Sequence, residues 1–324
     1  MLTSPVIKLQ RTGAPMPQVG FGTWKHTGDK ATEAVEAALK VGYRLLDCAA
    51  DYGNEKECGL GLKHAIDEGI VKRHDVWVVS KLWNTFHRKE HVRAAVKKSL
   101  ADWGVDYFDI YYMHFPISLE FVPFETRYPP GWFFDGKSQV KHDNVPIQET
   151  WEALEELVDE GLIRHLGVSN TNSALLMDLL KYARVKPSVL QIEIHPYNVQ
   201  TRAVAYAQSQ GVAVTAYSSF GPLGWLVFGT SKSAHTQPLF THPVITAIAA
   251  KHPGSTPPQV VLRWATQRGL AIIPKSDTVE QMEQNMKSSG IKLSEEEMAA
   301  IGMLDMGLRF NDPADGFEGC HIFS

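Results

Sequence analysis

Along this chain short apolar runs alternate with segments of helical spacing, and that alternation limits the fold more than any other property of the sequence. A short hairpin is expected first, from Val6–Leu9 and Gln18–Gly22 flanking Thr12-Gly13 and two prolines; its second arm leads into a first buried strand. Helical spacing covers 29–41, 54–68, 88–102, 147–160, 172–182, 200–210, 243–251, 257–268, 278–287 and 294–304, the last opening as a capping box at Ser294-Glu295-Glu296-Glu297. Strand-like runs lie between: Gly42–Leu46, Asp75–Trp83, Tyr107–His114, Ile163–Val168, Val189–Glu193, Val212–Tyr217 and Leu270–Ile273. Strands that alternate with helices pair in parallel through right-handed crossovers. Eight such units predict an α/β fold closed as a (β/α)8 barrel, one domain over 1–324, with its active site at the carboxyl ends of the strands.

Two stretches interrupt the rhythm, 116–145 and 218–240. Loops of that length inside a compact domain are usually functional or disordered. The first carries Phe121, Phe124, Tyr128, Trp132, Phe133 and Phe134, which predicts a packed lid over a site. A net charge of −4 offers no electrostatic footprint for nucleic acid or an anionic membrane. Cys48, Cys58 and Cys320 are odd in number and form no C-x-x-C pair, so reduced thiols and a cytoplasmic location are expected. The first residues lack a basic stretch followed by an apolar run, and no apolar stretch approaches the roughly 18 residues of a membrane span.

Asp47, Lys81 and His114 each follow an apolar run at a strand end, and Tyr52 lies just past the first of them. Alone, each has a plain structural reading: a helix cap, a solvated amine, a hydrogen-bonded histidine. Together on three successive strands they suit the protonation of a carbonyl oxygen. Tyr52 is the acid, and a neighbouring ammonium at Lys81 is expected to lower the phenol from its ordinary value of about 10. Asp47 holds Lys81, and His114 donates to the same oxygen. A carbonyl protonated this way needs a hydride, which implies a nicotinamide cofactor. No metal spacing is present. Gly20-Phe21-Gly22 and Gly59-Leu60-Gly61 are each two-thirds of a G-x-G-x-x-G loop, too little to place a dinucleotide; phosphate contacts are expected from late barrel loops and a helix N-terminus.

Gly42–Glu55, Lys81-Leu82-Trp83-Asn84, Tyr111–Pro116, Gly167-Val168-Ser169-Asn170, Gln191–Tyr197, Ala216-Tyr217-Ser218 and Ile273-Pro274-Lys275-Ser276 resemble the aldo-keto reductase superfamily over nearly the whole chain. Tyr128-Pro129-Pro130-Gly131, Ala216–Pro222 and Gly307–Pro313 are most similar to the fungal D-xylose (aldose) reductases. The resemblance implies NADPH or NADH as cofactor and an open-chain aldose, D-xylose or L-arabinose, as the small-molecule substrate. It implies that Tyr52 is the general acid, with Asp47, Lys81 and His114 around it. Ser169, Asn170 and Gln191 would hold the nicotinamide carboxamide and Tyr217 would stack on its ring. Ser218, Ser219, Pro222 and Leu223 would follow the pyrophosphate; Lys275, Ser276, Gln284 and Asn285 would reach the adenosine. Trp24, Asp51, Phe115, Phe220 and Asn311, with His114, would line the sugar pocket. The relatives also allow a homodimer.

The chain departs from the pattern where the family grips the 2′-phosphate of NADPH. Gln281 stands in place of the usual arginine, and Asp277 in place of the asparagine common among xylose reductases. Losing a guanidinium and gaining a carboxylate both disfavour a phosphate dianion, whereas a carboxylate can accept from ribose hydroxyls. Lys275 remains, and Val227 stands where dual-cofactor yeast enzymes carry a glutamate. A weakened preference for NADPH is expected. The alternatives are a reductase for another sugar, a uronate or a general aldehyde, and a cofactor-binding regulatory subunit on the same fold.

Overall fold

The computed structural model describes residues 1–324 apart from Ser138, Glu318 and Ser324. Ten strands form in chain order: β1 (Val6–Lys8), β2 (Pro15–Pro17), β3 (Phe21–Gly22), β4 (Leu45–Asp47), β5 (Trp77–Leu82), β6 (Phe108–Met113), β7 (Ile163–Ser169), β8 (Val189–Glu193), β9 (Ala213–Tyr217) and β10 (Ala271–Ile272). The helices are α1 (Asp29–Val41), α2 (Glu55–Asp67), α3 (Lys89–Trp103), α4 (Ile147–Asp159), α5 (Ser173–Tyr182), α6 (Thr201–Ser209), α7 (Ser231–Ala234), α8 (Pro243–Lys251), α9 (Pro257–Gln267), α10 (Val279–Lys287) and α11 (Glu295–Gly302). Their ends follow local chemistry. Asn172 caps α5 by accepting from Leu175 N, Thr256 and Gln259 form a capping box on α9 just before Pro257, and Ser294 and Glu297 form the expected box on α11.

Strands β3 to β10 pair in parallel in sequence order, and the sheet closes on itself. Val19 bridges Ile272; Ile272 N donates to Gln18 O at 2.8 Å and Gly20 N to Ile272 O at 2.8 Å. The seam is tight. A Cβ on Gly22 would lie 2.5 Å from Ile273 O, and one on Gly20 would lie 2.4 Å from a Leu45 methyl. Gly20-Phe21-Gly22 is therefore a closure motif. Gly59 and Gly61 serve helix packing in the same way, facing Trp103 O and Thr32 O at 2.3 and 2.5 Å from an ideal Cβ.

The hairpin differs from the sequence expectation. Its second arm is the proline segment: Val6 pairs with Pro17, Ile7 with Met16 and Lys8 with Pro15. An edge strand tolerates prolines because its outer face needs no donors. Gln18–Gly22 supplies the barrel seam instead. Leu9 and Met16 of the hairpin pack against Leu45, Val79, Ile110, Tyr112, Val189 and Ala271, so the barrel interior is plugged with apolar side chains at its amino end.

The aromatics of 116–145 also divide differently from the expected lid. Phe121 and Phe124 pack on Phe86, with ring centroids 5.9 and 5.2 Å away, and Phe121 stacks on His91 at 3.5 Å. Trp132 turns inward, 5.2 Å from both Trp83 and Phe115 and 4.4 Å from Phe317. Of the six, Trp132 is the one that lines the central cavity. Among the described residues no helix is long and apolar enough to cross a membrane.

Candidate active site

On a strand, residues two apart share a face. Leu45 and Val79 face the apolar plug, so Asp47 and Lys81, two residues on, face the interior at the carboxyl end. Lys81 is fully buried at 0% exposure and Asp47 nearly so at 2%, which requires them to satisfy one another. Lys81 Nζ donates to Asp47 Oδ1 at 2.7 Å, to Cys48 O at 2.7 Å and to Tyr52 Oη at 3.2 Å. Asp47 Oδ2 accepts from Gln191 Nε2 at 2.7 Å. Tyr52 follows on a short 3-10 turn (Ala50–Tyr52) that Gly53 ends in the left-handed region at φ 67°. Its phenol oxygen accepts from Lys81, which leaves its own hydrogen free to face the cavity.

The ionisation of Tyr52 runs opposite to the sequence expectation. Burial, then the Asp47 carboxylate, then Cys48 and Asp51, push the phenol well above its ordinary value. Lys81 gives its charge first to Asp47, so the pair presents little net positive charge to Tyr52. A phenol in this setting is a retained proton. His114 sits edge-on to Tyr52, with ring centroids 5.9 Å apart, and against Trp83 at 5.3 Å. Burial, the Lys81 ammonium and His87 push His114 well below its ordinary value, so the imidazole is neutral. Its buried Nδ1 has no hydrogen-bond partner among the described residues.

A cavity of about 1500 Å³ opens above these groups. Every residue of the sequence-derived set lines it except Lys81, which lies beneath Asp47 and Tyr52, and Pro222, which is buried in the first turn of the 3-10 helix Gly221–Phe228. At one end Tyr217 Oη donates to Asn170 Oδ1 at 2.6 Å and accepts from Asn311 Nδ2 at 3.0 Å, while Asn170 Nδ2 donates to His114 O at 2.9 Å. Asn170 and Ser218 hold left-handed backbone (φ 54° and 51°), a cost that non-glycine residues carry mainly at sites. At the other end Asn285 Nδ2 donates to Ser276 Oγ at 2.8 Å, Asp277 N donates to Gln281 Oε1 at 3.0 Å, and Lys275 pairs with Asp277.

The lining suits a dinucleotide. Ser219 Oγ is buried and unpartnered on the cavity wall, ready for a polar group. Lys25 is pushed down to about 8 by burial and by the Lys275 ammonium, a repulsion that an anion between the two would relieve. Tyr217, bonded to Asn170, lines the same cavity as Gln191.

Residues 18–305 match the model of the aldo/keto reductase family. This chain belongs to that family. It is similar to the NAD(P)H-dependent D-xylose reductase of Aspergillus niger, 53% identical over 312 residues that span 96% of this chain and 97% of the relative. It is 50% identical to the NAD(P)H-dependent D-xylose reductase of Pyricularia oryzae, over 98% of both chains. Among solved structures, the aldose reductase from Schistosoma japonicum superposes with a TM-score of 0.86 at 37% identity, covering 98% of this chain and 99% of that one. The crystal structure of a Bombyx mori aldo-keto reductase in complex with NADP does so at 0.85 and 33%, covering 99% and 100%.

Within this aldo-keto reductase the cavity also takes residues that sequence reasoning passed over, notably Lys25, Trp83, Phe240 and Phe317, beside Trp132 from the expected lid. Lys25 Nζ donates to Gly224 O and lies 4.1 Å from the Trp24 ring centroid, tying the first barrel loop to the Gly221–Phe228 segment. Its sequence sign was slight, a lysine directly after a tryptophan at the first strand's end. The two phenylalanines and Trp132 come from loops whose paths no local pattern determines.

Proposed function

We propose that this chain reduces the aldehyde of an open-chain aldose to its alditol, with D-xylose first and L-arabinose close behind, and that the whole of 1–324 acts as one catalytic unit. The observation that carries this reading is the Tyr52 phenol at the floor of an aromatic-walled cavity, bonded to Lys81 at 3.2 Å with its hydrogen free. The xylose reductase names of its half-identical relatives support the substrate class.

The chemistry follows from the residues. A bound nicotinamide dinucleotide supplies the hydride. Tyr52 gives its proton to the carbonyl oxygen, and the neutral His114 orients that oxygen by donating to it. The phenolate left behind is stabilised by Lys81, whose position Asp47 and Cys48 O fix in advance, so no reorganisation is needed at that moment. Ser169, Asn170 and Gln191 would take the carboxamide and Tyr217 the ring face; Ser218, Ser219, Leu223 and the buried Pro222 turn would follow the phosphates. Lys275, Ser276, Gln284 and Asn285 would reach the adenosine end. Trp24, Asp51, Phe115, Phe220 and Asn311 would contact the sugar. Asp51 carries a carboxyl that burial pushes up to about 7 against the pull of Arg127.

The same reading gives NADPH less advantage than the family pattern implies. Lys275, the cation available to a 2′-phosphate, is already paired with Asp277, and Gln281 adds a neutral side chain where a guanidinium would grip. The test is initial-rate reduction of both sugars with NADPH and NADH separately. NADH equal to or better than NADPH supports the cofactor reading. An NADPH advantage of a hundredfold, about 2.7 kcal/mol, overturns it. Absence of turnover with either sugar overturns the substrate assignment.

A further inference from the structure

Glu193 ends β8 and is fully buried, yet it does not line the cavity. Burying a carboxylate is costly unless donors surround it. Here they do: Oε1 accepts from Phe310 N at 2.8 Å, Oε2 accepts from Asn311 N at 2.8 Å, and His195 Nε2 lies 2.8 Å from Oε1. Burial works to raise this carboxyl, but His195 and the two amides hold it below its ordinary value, as an anion. The segment it grips has no regular structure of its own beyond the turn Pro313–Asp315.

What the grip positions is Asn311. Its Nδ2 donates to Tyr217 Oη, Tyr217 to Asn170, and Asn170 to the carbonyl of His114, so an unbroken line of hydrogen bonds runs from the buried carboxylate to the reacting centre. We propose that Glu193 is a positioning residue for sugar recognition: by clamping the amides of Phe310 and Asn311 it sets the Asn311 carboxamide where a polyhydroxylated chain is read. The proposal rests on the aldose reading above. A plain aldehyde has no hydroxyls for Asn311 to meet and depends less on the clamp.

Glu193→Gln is nearly isosteric but replaces one acceptor by a donor, so one of the two amides faces an N–H. The experiment compares kcat/KM for D-xylose with that for pentanal. In Glu193→Gln the xylose-to-pentanal ratio falls about tenfold or more, the scale of one hydrogen bond, with the loss in KM for xylose. Asn311→Ala lowers the xylose-to-pentanal ratio in the same way, whatever it does to pentanal turnover through Tyr217, and the double variant lowers the ratio no further than Asn311→Ala alone. An equal fall for both aldehydes, or an unchanged ratio, overturns the proposal. If Glu193→Gln does not fold, hydrogen exchange on the unaltered enzyme decides: slow amides at Phe310 and Asn311 support the clamp, and exchange as fast as at the flanking amides refutes it. Failure of the aldose reading shows separately, as absent turnover of xylose beside normal turnover of pentanal by the unaltered enzyme; the selectivity proposal then falls with it.

Discussion

The two ends of the barrel are built on the same strands and differ in almost every physical respect. Leu45 and Asp47 are two residues apart on β4, Val79 and Lys81 on β5, Val189 and Gln191 on β8. The first member of each pair lies in the dry plug with Leu9 and Met16 of the hairpin; the second lies in or against the cavity. About 7 Å of strand thus separates an apolar wall from a charged site. The scaffold needs no separate element for stability and chemistry, because the pleat assigns successive inward positions to one task or the other.

The largest expected effect tests the chemical end alone. Tyr52→Phe removes the proton donor without opening a cavity, and kcat for D-xylose should fall by about 10²–10⁴-fold while cofactor binding, followed by quenching of tryptophan fluorescence, persists. Retention of more than a tenth of kcat would show that some other group delivers the proton.

Next comes a pair of substitutions chosen to separate the ends. Leu45→Ala should cost about 2–5 kcal/mol in urea unfolding, while kcat per folded molecule stays within about twofold. Lys81→Met leaves Asp47 without its cation and should cost about 3–5 kcal/mol, and here kcat should also drop by at least about a hundredfold. Equal kcat losses in the two variants would mean that the ends are mechanically coupled and that the division just drawn is wrong.

A smaller effect concerns Glu55, whose carboxyl accepts from Ser80 Oγ at 2.6 Å and Ser99 Oγ at 2.9 Å. Burial pushes it up to about 7 from an ordinary 4.5, with Asp102 adding and the serines and Lys98 opposing. A carboxyl raised on folding holds its proton more tightly in the native state. Its contribution to stability is therefore complete below about pH 4.5 and is lost as pH rises through about 7. Glu55→Gln should flatten that slope, on the order of 2 kcal/mol between pH 5 and 8. An unchanged stability profile by chemical unfolding would show that Glu55 is not the group responsible. Smallest of all, Gln281→Arg should raise kcat/KM for NADPH by about tenfold and leave NADH nearly untouched; no gain for NADPH would place the 2′-phosphate elsewhere.

The barrel was readable because strand runs end abruptly in polar residues and the segments between them keep helical spacing, with a capping box at Ser294 that needs only local sequence. The hairpin register was not, because Pro15 and Pro17 look like turn residues until an edge strand is there to use them. Asp47, Tyr52, Lys81 and His114 could be named from position, yet the direction of the Tyr52 shift could not. Sequence shows which charges are neighbours along the chain; it does not show that Asp47 absorbs the charge of Lys81 first. Glu193 stood in plain view inside a motif, a charged residue within an apolar strand. What it holds, Phe310 and Asn311, lies more than a hundred positions away and becomes adjacent only when the chain folds.

The hairpin plug fills the amino end of this barrel, and the cavity opens at the other end. Lys81 spends its hydrogen bonds on Asp47, Cys48 and Tyr52 and rests above side chains that are apolar except for the hydroxyl of Tyr112. The hydrogen of Tyr52 faces the cavity, so after each turnover the proton that re-arms it is expected from above, down the shaft that the sugar entered. Product departure and the reloading of the acid would then share one doorway.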